Sequence, residues 1–125
     1  TVMPGFILSD VGDFIRTAVN TGAEDETDES KIGVDMEIFK SYVEGYMSSA
    51  SSFLSETEIR LIPYGGRMMT YMQAVRFLTD YINGDTYYKT NYKDHNWDRA
   101  WAQYVYLTRL EERAKEMSDF MAHWL

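Results

Sequence analysis

Apolar residues recur along this chain at three- and four-residue steps, the spacing that lines one face of a helix, and nowhere alternate over a strand's length between paired turn signals. Phe6-Ile7-Leu8 opens the pattern. Ser9 or Asp10 offers a side-chain oxygen to cap a short first helix through Asp13, Phe14, Ile15 and Ala18, ending between Asn20 and Gly22. From Asp35 onward, Met36, Phe39, Tyr42, Val43, Tyr46 and Met47 predict a second helix, which the stretch Ser48 to Ser52 ends. Ser55 and Glu58 stand at capping-box spacing and start a third. Pro63 has no amide hydrogen and Gly65-Gly66 weaken a helix, so a kink or restart is expected there before Met68, Met69, Met72, Val75, Leu78 and Ile82 resume the stripe. Asn83-Gly84 is a glycine stop. Asp85 to His95 has no helical period and reads as an ordered loop. From an Asn96 cap, Trp97, Trp101, Tyr104, Leu107, Leu110, Ala114, Met117, Met121 and Trp124 predict one long closing helix. The class is all-α, four to five helices in a bundle-like arrangement, with residues 1–125 read as a single helical domain.

Charge narrows the functional classes. The chain carries 20 acidic and 12 basic side chains, a net charge of -8, and no basic face is legible, so a nucleic-acid backbone is a poor partner. No run reaches the roughly 20 apolar residues of a membrane helix, and no basic-then-apolar leader is visible, so no membrane partner and a cytoplasmic location are expected. With no cysteine, disulfides and thiolate zinc sites are impossible.

Candidate chemistry within the chain is sparse. Glu24-Asp25-Glu26-Thr27-Asp28-Glu29 holds five carboxylates in six residues and reads as a solvated loop. A calcium loop starting at Asp28 would put Gly33 at the sixth position, but Phe39 where the bidentate Glu belongs, and a start at Asp25 puts Ser30 in the glycine's place. His95 and His123 have no partner at zinc-ligand spacing beyond the weak His95/Asp98 pair, and read as helix-end or surface residues. No nucleophile elbow and no phosphate-cradling glycine loop appears, since Gly65-Gly66-Arg67 is too short and lies in a helical pattern. The methionine cluster and the tryptophans read as core packing, and Arg76 and Asp80, one turn apart, as a surface ion pair.

Taken as a set, Thr1-Val2-Met3-Pro4-Gly5, Gly12-Asp13-Phe14-Ile15-Arg16, Thr21-Gly22-Ala23-Glu24-Asp25-Glu26, Arg76-Phe77-Leu78-Thr79-Asp80-Tyr81, Asn83-Gly84-Asp85 and Asp94-His95-Asn96 resemble, in this order, the C-terminal part of aminoglycoside-phosphotransferase-like kinases. The nearest subgroup resembles N-acetylhexosamine 1-kinase. The resemblance spans nearly the whole chain. It implies the helical C-terminal subdomain of a protein-kinase-like phosphotransferase, whose intact parent would use ATP and Mg²⁺ to phosphorylate a hexose. If Thr1 matches the family's Asp-x-Asp-Thr threonine, the metal-binding and catalytic Asp residues lie upstream, no cofactor binds within these residues, and the 125 residues alone are expected to be inactive. By the same resemblance, Arg76 and Tyr87 reach the sugar's hydroxyl and N-acetyl groups, and Asp13 accepts hydrogen bonds that brace the catalytic loop, where the residue reading makes it only a first-turn Asp. The subgroup's C-terminal aromatic contact falls near Ser118 and has no counterpart, with Trp124 several residues away. An alternative reading is a stand-alone acidic helical interaction module without catalysis, and self-association of the fragment is a further expectation.

Overall fold

Pro4 opens the first helix of the computed structural model, which describes residues 4–125, with side chains from Ile7 on. Helix α1 runs Pro4–Thr17, a full turn earlier than the Ser9 or Asp10 cap expected. Proline suits the first helical position, where its missing N–H has no partner to lose, so Ser9 and Asp10 lie inside the helix and Asp13 in its later turns. The helix also stops before Ala18, because the backbone beyond it pairs sideways. Asn20 forms an isolated antiparallel bridge with Val34, Asp35 N–H donates to Val19 O at 2.8 Å, and Thr21 N–H donates to Gly33 O at 3.0 Å.

The acidic segment is a loop carrying one 3-10 turn, Glu29–Lys31, capped by the Asp28 carboxylate. Helix α2, Met36–Ala50, begins after Asp35 and ends within the serine stretch as its sequence predicts, and the Asp35 carboxylate caps it by accepting the N–H groups of Glu37 and Ile38. The Ser55/Glu58 capping box is present in both directions and begins helix α3, Glu56–Ile82. That helix is uninterrupted: no restart occurs at Pro63. Gly65 and Gly66 allow two backbones to approach. A Cβ on Gly12 of α1 would lie 2.4 Å from Gly65 O, and one on Gly66 would lie 2.5 Å from Ile15 Cγ2. Asn83 caps the helix C-terminus and Gly84 follows at φ +91°, where a side chain is strained.

Helix α4, His95–Glu112, begins after Asp94, so Asn96 is not its cap but a buried residue of its first turn. The expected single closing helix is divided. Arg113 leaves helical geometry at φ -100°, ψ 2°, and helix α5, Ala114–Met121, sets off anew before a terminal 3-10 turn at Ala122–Trp124. The new direction buries Met117 and Met121 and brings Phe120 against Phe39 of α2, ring centroids 6.1 Å apart.

All-α architecture is confirmed, with no strand among the described residues. Helix α3 is the axis, with α1 and α4 packed along it and α5 touching it. The core joins Ile7, Val11 and Ile15 to Phe39, Val43 and Met47, to Ile59 and Ile62, and to Val105, Tyr106 and Leu110. Tyr106, fully buried, donates from its hydroxyl to Ile15 O and ties α4 to α1. Burial raises its pKa. Two expected core stripes instead face outward in part: Met72, Val75, Leu78 and Ile82 of α3, and Trp97, Trp101 and Tyr104 of α4, are exposed. Helix α4 turns Ala102, Val105, Tyr106 and Leu110 inward. No helix among the described residues is long and apolar enough to cross a membrane.

Candidate functional site

Asp80, in the last turn of α3, is only 4% exposed and organises the loop that follows. Its carboxylate accepts the backbone N–H of Tyr87 at 2.8 Å and of Tyr88 at 3.0 Å, and the Asn96 side-chain amide at 2.7 Å. Burial alone pushes this carboxyl's pKa up, but the N–H groups of Tyr88, Tyr87 and Thr86 and the Asn96 amide outweigh it and hold the group below the ordinary value of 3.8. The surface ion pair expected between Arg76 and Asp80 is therefore not what forms. A carboxylate that can collect convergent N–H donors from a loop returning over it is better satisfied there than by a solvated guanidinium.

The loop over residues 83–94 is stiffened from several sides. Asp85, itself at φ +62°, donates its N–H to Asp80 O at 2.8 Å, and its carboxylate accepts from Asn96 at 3.0 Å. Arg99 bonds both Asn96 Oδ1 and Lys89 O, with its guanidinium 5.5 Å from the Phe77 ring centroid. Gln73 donates to the Tyr88 hydroxyl, and the Tyr88 ring packs on Phe77. At the loop's far end His95, also buried, accepts the Asn91 N–H on Nδ1 and turns Nε2 to Asp25 at 2.8 Å. His95 thus sits at a helix end as expected, but inside rather than at the surface, and Asp98 takes the Tyr92 hydroxyl instead. That bond leads the causes that push the Tyr92 phenol up to about 12.

Within this frame Arg76 and Tyr87 open onto one cleft of about 650 Å³, shared with Thr79, Asn83 and Thr86. Both are exposed, and Tyr87, at 81%, presents nearly its whole side chain to solvent while its backbone is fixed by Asp80. A guanidinium fork and a phenol here can meet the hydroxyl and carbonyl groups of a neutral polar ligand. Asp13 lies elsewhere, exposed on α1, where its carboxylate takes Arg16 Nε at 3.1 Å. Arg16 also reaches Glu24 at 2.9 Å, so this pair braces the acidic loop.

Sequence reasoning missed Asp80 and Asn96 as the supports of the cleft. An Asp placed shortly before an Asn-Gly-Asp turn was the available signal, but its i, i+4 relation to Arg76 directed attention to the helix surface. Among the described residues no group of three His, Cys, Asp or Glu side chains could hold a metal ion. Phe39, at the would-be calcium position, is buried in the core. No family model matches the chain.

Proposed function

We propose that this chain is the helical, acceptor-binding part of a sugar-kinase-like phosphotransferase, with the cleft beside Arg76 and Tyr87 receiving a hexose such as an N-acetylhexosamine. The observation that supports the reading is the shared cleft: two residues eleven positions apart, singled out by the resemblance, line one opening. Arg76 donates to sugar oxygens as an oriented fork, and Tyr87, on a loop anchored through Asp80, meets the ligand with little ordering cost. Phosphoryl transfer itself, with ATP and Mg²⁺, belongs to residues other than those described here, and the reading places the enzyme in the cytoplasm.

The test is titration of the chain with N-acetylglucosamine and with N-acetylgalactosamine, followed by amide chemical shifts of residues 76–88. Saturable shifts are expected, with Arg76→Ala weakening affinity about tenfold, equivalent to about 1.4 kcal/mol, while ATP produces no shifts. Absence of saturable sugar shifts, or an Arg76→Ala variant that binds as tightly, disposes of the reading. The alternative, an acidic interaction module, is favoured by a separate feature, the apolar groove between α3 and α4.

A further inference from the structure

The two ring nitrogens of His95 are committed to opposite roles. The backbone N–H of Asn91 can only donate, and it donates to Nδ1 at 3.1 Å, so Nδ1 carries a lone pair and the neutral ring keeps its hydrogen on Nε2. That hydrogen is directed at the Asp25 carboxylate, 2.8 Å away. One nitrogen thus accepts from the loop that precedes α4, and the other donates to the acidic loop. The ring itself is buried and stacks on Tyr92, ring centroids 4.6 Å apart. We propose that His95 is a proton-operated latch, whose neutral form holds the Asn91 amide and whose protonated form lets residues 88–94 go while strengthening the hold on Asp25. The inference stands independently of the sugar-binding reading, since it concerns what holds the loop and not what the loop binds.

An arriving proton has one place to go. Nε2 already bears hydrogen, so the proton takes the Nδ1 lone pair, and Nδ1–H then faces the Asn91 N–H with no acceptor between them. Two donors at that separation must part. Toward Asp25 the effect is opposite, because a bond from a neutral ring to a carboxylate becomes a bond between opposite charges. Asn91 is exposed, so water satisfies its N–H on release and the parting leaves no buried orphan. The exposed loop therefore moves, and the buried ring stays with Asp25.

The other charges around the ring are engaged elsewhere or face solvent. On the acidic loop, Glu24 is held by Arg16, and Glu26 accepts the Asp28 N–H. On the loop before α4, Asp94 takes the Tyr81 hydroxyl, and Lys89 and Lys93 are exposed. On α4, Asp98 takes the Tyr92 hydroxyl, and Arg99 bonds Asn96 and Lys89 O. Histidine is the side chain that ordinarily changes charge between about pH 5 and about pH 8. The chain has one other, His123, exposed at the far end against Phe120 O.

Titration of the chain from about pH 8 to about pH 5, followed by long-range proton–nitrogen correlations of the imidazole and by backbone amide shifts, tests this. At the alkaline end the His95 ring is expected to carry its hydrogen on Nε2. As the ring takes its second proton, the Asn91 amide is expected to shift with the same midpoint. Residues 88–94 are expected to lose at least about fivefold in hydrogen-exchange protection, after correction for the pH dependence of exchange itself, while residues 23–31 keep theirs. His95→Asn offers the Asn91 N–H an amide oxygen that acid does not protonate, and is expected to leave that amide unmoved across the range. His123→Ala is expected to titrate as the parent does. A ring hydrogen on Nδ1 at the alkaline end, a protonated His95 beside an unmoved Asn91 amide, or a ring still neutral at the acid end overturns the proposal. So does release of both loops together, or an Asn91 transition that survives in His95→Asn. Should that variant fail to fold, the parent's own titration decides.

Discussion

Asp80 shows how one side chain can be misread at the residue level and still govern its surroundings. Sequence spacing pairs it with Arg76, but burial and a returning loop make its partners Tyr87, Tyr88 and Asn96. Its folded-state pKa lies below the ordinary 3.8, so the unfolded chain holds this proton more tightly. The stabilisation is complete above the unfolded value and is lost as pH falls through the lower folded value. Urea unfolding followed from about pH 6 down to pH 2 is expected to show stability falling below about pH 4. Asp80→Asn, less stable near neutrality, is expected to show a shallower fall over the same acid range. An unchanged acid slope in the variant would detach the loop from this carboxylate. Arg76 and Tyr87 were legible only through resemblance, since neither residue type nor spacing marks them. Their meeting in one cleft depends on how the loop returns.

At the scale of elements, local signals with short-range chemistry were readable and contacts between elements were not. The Ser55/Glu58 box and the Asn83-Gly84 stop both formed, because each is satisfied by atoms a few residues away, whereas the caps expected at Ser9 or Asp10 and at Asn96 did not, those residues lying inside helices. Pro63 and Gly65-Gly66 misled, because local propensity counts against a helix while tertiary packing of α1 on α3 favours one. The same glycines make that crossing close. Gly12→Ala would drive a methyl group into Gly65 O, a backbone atom that cannot rotate aside. Denaturant midpoints are expected to fall by the equivalent of about 1–3 kcal/mol. A neutral result would mean the two helices slide apart freely. The division of the last helix at Arg113 went unread for a related reason: apolar spacing runs through it on both sides, and only the need to seat Met117 and Met121 in the core requires a turn.

Across the whole molecule, the acidic loop is held to the bundle by scattered contacts. Asp25 meets His95, Trp101 Nε1 donates to Glu29 at 3.0 Å, Arg109 Nε donates to Ile32 O at 3.2 Å, and Arg16 pairs with Glu24. Mutual repulsion keeps most of these carboxylates at the surface, as their composition requires. The bundle nonetheless supplies a donor to one after another. His95 is the buried link between this loop and the loop that carries Tyr87. Removing it with His95→Ala takes the acceptor from the Asn91 N–H and the partner from Asp25, both of which water can reach, at a cost of about 1 kcal/mol. Hydrogen exchange is expected to accelerate in residues 23–31 and 88–94 together, with α1 and the middle of α3 still protected. Acceleration confined to one loop would show that the two are not joined through this side chain.

What the sequence determined by itself was helical class, the two ends of α3 set by its capping box and its glycine stop, and the solvated character of the acidic segment. All of these follow from interactions within a turn or two, or from charges that cannot be buried together. Tertiary structure decided which of two apolar faces on α3 and α4 turned inward, where the last helix broke and that Asp80 would hold the loop beside Arg76. Periodicity records that a face is apolar, not what it will touch. Contacts between residues far apart along the chain depend on helix crossings that small residues such as Gly12 and Gly65 permit and that no local preference encodes.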